Sequence, residues 1–420
     1  MQPETHLRIL DFPDALALVL DHAGKLTARP APERLALLAT QGRTLAEAVA
    51  ADRPQPPFDR STRDGFATQA ASVQQGAAAQ VIGQVRAGEI WQGAALLPGQ
   101  AVEVMTGAPI PAGADCVVML EHVLDEEPSG LRRVHLAEGR SIHAGENVVP
   151  CGSEARAGEV LLPTGTRMGA AEIAIAAACG RATLQVFARP RIAVIATGDE
   201  LVEVEDSPLP HQIRNSNSYA LATQIAAAGA EAIRQPVAQD TCEALLASIR
   251  AARACDLLLL TGGVSMGKYD LVEAVLLELG AEFFFTGVRM QPGKPVVFGR
   301  LPGTADRPPQ YFFGLPGNPV STQVTFLLFA APLLRALCGE RQQQPRFVQA
   351  TLAEPLRTKT GLTRFLPALL HYDLHTPTVR QVPWQGSGDQ AANARANGYL
   401  VVPPDRETLA AGEPVTVLLQ

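Results

Sequence analysis

The sequence predicts a multidomain α/β plus β protein, with a central doubly wound α/β domain, an inserted β-rich module and a C-terminal β barrel. Three observations carry this. Continuous apolar runs at Ile192–Ala196 and Asp256–Leu260 alternate with amphipathic helical stretches, the pattern of a parallel sheet covered on both faces. Short β-rich pieces separated by Gly and Pro fill residues 53–149. A second set of short strands and turns follows the proline- and glutamine-rich stretch Gln342–Arg346.

The elements follow in order. Asp11, Pro13 and the apolar spacing of Leu16, Leu18, Val19 and Leu20 up to Gly24 predict an opening helix. Ala79–Ile82, Ala101–Val104 and Cys116–Met119 read as strands of the second module. A helix over Met168–Cys179 and the segment Ala182–Ala188 lie beyond it, and folding of these back onto the first helix would make the β module an insertion. From Arg191 the α/β rhythm begins, with a helix over Asn217–Ala228, a strand near Ala232, a helix from Thr241 and a closing helix over Pro319–Leu337. The resulting domains are 1–52 with 150–188, then 53–149, 189–340 and 341–420, in line with a length prior of roughly two to four domains.

Composition narrows the class. With 47% hydrophobic and 18% charged residues the chain has ample material for several cores. A formal net charge of −7 disfavours nucleic acid and anionic membranes as partners. The six cysteines form no CxxC pairs, so neither a zinc site nor a disulfide frame is readable and a reducing, cytoplasmic setting is expected. Met1–Leu10 has no apolar signal core, and the run Val324–Leu337 is interrupted by Thr325, Pro332 and Arg335. No export or membrane-spanning segment is expected.

Ligands of open parallel sheets bind beyond the C-terminal strand ends. Three glycine-bearing loops fall there: Thr197-Gly198-Asp199-Glu200, Thr261-Gly262-Gly263-Val264-Ser265-Met266-Gly267, and Gly314-Leu315-Pro316-Gly317-Asn318-Pro319-Val320-Ser321. Glycines let backbone N–H groups approach a phosphate, and a helix N-terminus adds partial positive charge. One such loop is ordinary punctuation, but three on one edge indicate a phosphate-bearing ligand. No GxGxxG follows a strand and no GxxxxGK[ST] occurs, which removes the usual support for nicotinamide dinucleotide and ATPase readings.

Carboxylates gather at the same edge: Asp199, Glu200, Asp240 and Asp270. They suit a hard cation such as Mg²⁺ bridging phosphate oxygens. Asp240 with Glu243, and Asp270 with Glu273, also fit capping boxes. Lys294, between Gly293 and Pro295, is a candidate oxyanion contact or a solvated loop lysine.

Taken together, the segments Pro57–Ala67, Met105–Pro109, Thr197–Leu201, Thr261–Gly267, Gln291–Pro295, Leu315–Ser321 and Gly386-Ser387-Gly388-Asp389 resemble the molybdopterin molybdenumtransferase family, the MoeA proteins and the E domain of gephyrin. The resemblance implies a molybdopterin-binding α/β domain, a β domain carrying Asp64 and Thr106, and an elongated homodimer. Its active site would lie where the α/β domain of one subunit meets parts of the other. It implies a reaction in which molybdenum from molybdate enters adenylylated molybdopterin with release of AMP. The resemblance carries functional roles onto Asp64, Thr106, Glu200, Asp240 and Asp270. Metal binding and anhydride activation fall to Asp240 and Asp270, while Glu200 and Asp64 position substrate or water. Molybdate surroundings fall to Ser265, Lys294, Pro295 and Ser387. Further ligand contacts are implied for Thr197, Gly198, Asp199, Asn217, Thr261, Gly262, Gly263, Gly267, Pro316, Gly317, Asn318, Pro319, Ser321 and Arg364. A molybdopterin adenylyltransferase and acceptor molybdoenzymes are the implied protein partners.

The chain departs from the family at Gln291, where many relatives have lysine, with Arg289 as the nearby cation. In Gly361-Leu362-Thr363-Arg364, Arg364 stands at a shifted position. Fewer cations predict weaker or differently arranged molybdate binding. An adenylyltransferase would resemble the α/β domain alone, so the additional modules argue against it, and the retained polar residues argue against a purely scaffolding protein.

Overall fold

The computed structural model describes residues 8–26, 30–127, 130–263, 271–305 and 307–420. Its central sheet has six strands in the order Glu231–Arg234, Arg191–Ala196, Leu257–Thr261, Gln310–Leu315, Val297–Leu301 and Glu282–Phe285. The first four are parallel. Val297–Leu301 runs antiparallel to both its neighbours, which makes the sheet mixed rather than wholly parallel. The short link from Leu301 to Gln310 explains this, since a few residues can turn a hairpin whereas a parallel return needs a longer crossover.

Alternate residues of the parallel strands enter two different cores. Ile192, Val194, Leu257, Leu259 and Phe313 face the helices Asn217–Ala227 and Pro319–Leu337 through Leu221, Ile225 and Val324. Ala193, Ile195, Leu258, Leu260 and Phe312 face Cys242–Ala252 and Leu271–Glu278 through Leu245, Ile249, Val272 and Val275. The period-two alternation of a strand therefore serves both faces with apolar side chains. Burial of each Leu or Ile stabilises the fold by about 1.5–3 kcal/mol.

The helix Pro319–Leu337 has the length and apolar content of a membrane span, but 83% of its apolar 18-residue window is buried inside the protein. Its high apolar content is that of a core helix. Its middle, Phe326–Ala330, is π-helical just ahead of Pro332, and a π-bulge relieves a ring that cannot donate to the regular ladder.

The opening helix spans Phe12–Gly24 with Pro13 in its first turn. Its stripe of Ala15, Val19 and Ala23 packs into the α/β core beside Phe329 and Leu334, not against the helix Ala170–Ala178. The latter closes its own small core, in which Leu45 and Val49 meet Met168, Ala176, Leu184 and Val186. Pro32–Ala36 pairs with Thr183–Phe187 and Val49–Ala50 with Val160–Leu162, so strands from before and after the β module close one unit. The module itself is a six-stranded sheet built on Gly65–Thr68, Ala78–Val85, Gln100–Val104 and Cys116–Met119, matching the expected strands.

In the C-terminal region Thr363–His371, Thr378–Gln381, Phe347–Leu352, Pro414–Leu419 and Gly398–Val402 pair in that order, and the last returns to the first. The result is a closed five-stranded barrel. One barrel strand also pairs with Gly287–Gln291, which in turn pairs with Ile9–Asp11.

Candidate functional site

Register brings the three glycine-bearing loops to one level. Ala196 lies opposite Thr261, and Thr261 opposite Leu315, so the chain leaves all three strands together at Thr197, Gly262 and Pro316. These residues, with Glu200, Asn217, Thr261, Gly263, Pro295, Gly317, Asn318 and Pro319, line a cleft of about 850 Å³.

The cleft floor is knitted by Asn217. Its Nδ2 donates to Thr261 Oγ1 at 3.1 Å and to the Gly317 carbonyl at 2.7 Å, while its Oδ1 is buried without a partner among the described residues. An orphaned buried acceptor beside a cleft suits a donor on a ligand. Gly262 adopts φ +91°, and a Cβ there would meet the Thr197 carbonyl at 2.1 Å, so only glycine lets these two loops approach. Gly198 is covered by Glu200, whose carboxylate would lie 2.7 Å from an added Cβ.

Asp240 is exposed, and its Oδ1 accepts the Thr197 hydroxyl at 2.6 Å; its backbone N–H donates to Asp199 Oδ1 at 3.1 Å. The capping-box reading of Asp240 is not realised. Thr241 is the N-cap of Cys242–Ala252, accepting from the Ala244 amide at 3.2 Å. Asp240 is thus left with a second carboxylate oxygen not used in capping. Asp270, Ser265 and Gly267 lie outside the described residues. Among the described residues no group of three His, Cys, Asp or Glu forms a metal cage.

Other expected site residues lie elsewhere. Asp64 accepts the backbone amide of Thr106 at 2.6 Å and its hydroxyl at 2.9 Å on the inserted sheet, not in the cleft. These two donors, the amide first, hold its exposed carboxyl below the usual range. Lys294 is exposed and is not part of the cleft lining, while its carbonyl accepts the Val288 amide and its neighbour Pro295 does line the cleft. Ser321 is buried in its helix, where its carbonyl accepts the Thr325 hydroxyl. Arg364 is 8% exposed and donates to the Lys359 carbonyl. Ser387 offers its carbonyl to the Val320 amide, joining the barrel to the start of the core helix. Asp389 caps Gln390–Arg395 through the Ala392 amide and also accepts the Gln385 amide, which depresses its pKa.

Arg214, Ser216 and Gln390 also line the cleft, and sequence reasoning did not single them out. Arg214 belongs to a two-stranded ribbon, Leu201–Val202 with Ile213–Arg214, that folds over the first loop. It is the one cationic side chain lining the cleft among the described residues. Its Nε is anchored on the Val204 and Asp206 carbonyls at 3.0 and 3.2 Å. Gln390 reaches in from the barrel and donates to Ser216 Oγ at 2.9 Å. The signal for Arg214 was its place just before the helix of Asn217; Gln390 had none.

Known proteins share this architecture. Residues 10–180 match the MoeA N-terminal region (domain I and II), 193–336 the probable molybdopterin binding domain, and 349–420 the MoeA C-terminal region (domain IV). The molybdopterin molybdenumtransferase of Bacillus subtilis is 34% identical over 92% of this chain and 89% of its own. That of a Nostoc species is also 34% identical, covering 96% of this chain and 92% of its own. A crystal structure of the molybdopterin biosynthesis MoeA protein from Pyrococcus horikoshii superposes with a TM-score of 0.71 at 31% identity, covering 98% of this chain and 99% of that one. With three successive family regions matched across nearly the whole chain and relatives 34% identical over most of its length, the chain belongs to the MoeA family of molybdopterin molybdenumtransferases.

Proposed function

We propose that this chain inserts molybdenum from molybdate into adenylylated molybdopterin and releases AMP, and that it works as a cytoplasmic homodimer. The observation that carries this is the convergence of three glycine-bearing strand ends on one cleft, with Asn217 tying two of them together. In this reading Thr197, Thr261, Gly262, Gly263 and Gly317 receive the phosphates and the pterin, and Arg214 neutralises phosphate charge. The units of the proposed assembly are the expected domains 53–149, 189–340 and 341–420 and the discontinuous unit of 1–52 with 150–188, less the opening helix Phe12–Gly24, which joins the α/β core. Asp64 and Thr106 act from the partner subunit's inserted domain, since within one chain they do not line the cleft. Ser265, Lys294, Pro295 and Ser387 surround molybdate, which enters as substrate, and Arg364 stands in for a basic residue of the family.

The donor set suits Mg²⁺. Asp240 keeps one oxygen not engaged by Thr197 and sits beside Asp199, and Mg²⁺ commonly takes one or two carboxylates plus substrate phosphates and water rather than a full protein cage. Asp240 and Asp270 would hold it, and the ion would neutralise charge on the anhydride. Thr197 orients the Asp240 carboxylate, Glu200 positions substrate or water, and the cleft walls align the phosphate for attack. A molybdopterin adenylyltransferase supplies the substrate in this scheme, and acceptor molybdoenzymes take the product.

The test is purified protein given adenylylated molybdopterin and Mg²⁺. AMP release should accelerate when molybdate is added, with molybdenum found in the pterin product. AMP release indifferent to molybdate, with no metal in the product, would overturn the reading.

A further inference from the structure

A second cavity of about 470 Å³ opens along one side of the core helix Pro319–Leu337, from Gln323 to Arg335, and shares no lining residue with the cleft. At 1.5 Å per residue its near edge, Gln323, lies roughly one helical turn beyond Pro319 of the cleft, and its far edge, Arg335, roughly 24 Å beyond it. Three arginines reach the cavity from separate segments: Arg167 ahead of the helix Ala170–Ala178, Arg335 in the last turn of the core helix, and Arg346 at the entrance to the barrel. Their donors are only partly used. Arg167 pairs with Glu340 at 2.6 Å and donates to the Ala227 carbonyl at 2.8 Å. Arg335 uses Nη1 alone, on the Gln344 and Gln343 carbonyls at 2.8 and 3.4 Å. Arg346 is exposed and its side chain has no partner among the described residues.

Three guanidinium groups stand against Glu340 on Arg167 and the terminal carboxylate of Gln420, so positive groups outnumber negative ones at the cavity. Burial disfavours the charge of Arg335, Glu340 opposes that, and Arg346 and Arg167 add to it. An anion would relieve this field. The cavity also contains an unmet acceptor: Gln224 Nε2 donates to the Gln323 carbonyl at 3.4 Å, which fixes the amide, and leaves Oε1 buried with no donor. Phe326, Leu327 and Leu418 provide an apolar wall.

We propose that this cavity is a second ligand site, taking a small organic anion that carries a hydroxyl donor on a carbon skeleton. The guanidinium forks match carboxylate or phosphate oxygens in a bidentate fashion, the hydroxyl answers Gln224 Oε1, and the skeleton covers the apolar wall. Hydroxycarboxylates and sugar phosphates share this chemistry.

Calorimetric titration of the full chain in metal-free buffer of constant ionic strength tests it, with citrate, ribose 5-phosphate, tricarballylate and sulfate as probes. Citrate, ribose 5-phosphate or both should bind saturably and more tightly than sulfate, and the one that binds names the source. Where citrate binds, tricarballylate, which lacks its hydroxyl, should bind more weakly, and Gln224→Leu should erase that difference. Where only ribose 5-phosphate binds, Gln224→Leu should weaken it directly. Arg346→Ala should weaken the bound anion by roughly tenfold or more. Arg346 is exposed, so this variant reads out binding even if Arg335→Gln fails to fold. Binding no tighter than sulfate, or tight binding unchanged in Arg346→Ala and Gln224→Leu, overturns the proposal.

Discussion

The Thr197 hydroxyl donates to Asp240 Oδ1 at 2.6 Å, bridging two adjacent strand ends of the central sheet. The bond fixes the carboxylate's orientation without help from the neighbouring helix, because that helix is capped by Thr241.

Role and stability therefore separate between two consecutive residues. Asp240→Asn should abolish Mg²⁺-dependent AMP release while shifting the melting temperature little. Thr241→Ala should lower stability by about 0.5–2 kcal/mol and leave most of the activity. Denaturant titration beside single-turnover AMP release distinguishes them, and the reverse pattern would make Asp240 a structural residue.

The close approach of Gly262 to Thr197 predicts an unusually severe glycine substitution. Gly262→Ala meets both the left-handed φ and a carbonyl 2.1 Å from its new Cβ. Gly361 has φ +94° with nothing within 4 Å, so Gly361→Ala should show the backbone cost alone, roughly 1–2 kcal/mol. Gly262→Ala should exceed that in urea unfolding and should also lose AMP binding.

Asp64 offers a titration. Its carboxyl is held low by the Thr106 amide and hydroxyl, so its ionised form is favoured in the fold. The contribution is present above the unfolded carboxyl pKa and is lost as pH falls through the lower folded value. Thr106→Val keeps the amide and removes the hydroxyl. The Asp64 carboxyl should then titrate at higher pH, measured by carbon-detected NMR, and an unchanged titration would show that the hydroxyl bond is not formed in solution.

Arg214 should govern phosphate affinity. Arg214→Ala is expected to weaken AMP binding by roughly tenfold, and Arg214→Lys should restore the charge but not the Nε anchorage on Val204 and Asp206. Fluorescence titration with AMP measures this. Lys294→Ala, by contrast, should blunt the acceleration by molybdate more than it weakens AMP.

Much of this site was legible because it depends on local chemistry. Continuous apolar runs ending in Thr-Gly and Leu-Pro-Gly identify strand ends, and parallel register then aligns Thr197, Gly262 and Pro316 without further information. What escaped depended on chain segments distant in sequence. Gln390 enters the cleft only because the barrel docks on the core helix through Ser387 and Val320. The choice between Asp240 and Thr241 as helix cap is a one-residue matter of backbone angle, which side-chain type alone does not decide. The opening helix went to the α/β core because its Ala15, Val19 and Ala23 stripe fits beneath bulky Phe329, a complementarity visible only once both are placed.

The strand Gly287–Gln291 runs between Ile9–Asp11 on one side and the barrel strand Thr363–His371 on the other. Beginning, middle and end of the polypeptide are thereby laced through a single ribbon of backbone. Excision of the barrel would strip one flank of that ribbon and present unpaired amides and carbonyls to solvent, a template for intermolecular pairing. The C-terminal region is consequently a keystone rather than an appendage: proteins shortened there should associate into aggregates, even though the residues lining the cleft are nearly all still in the chain.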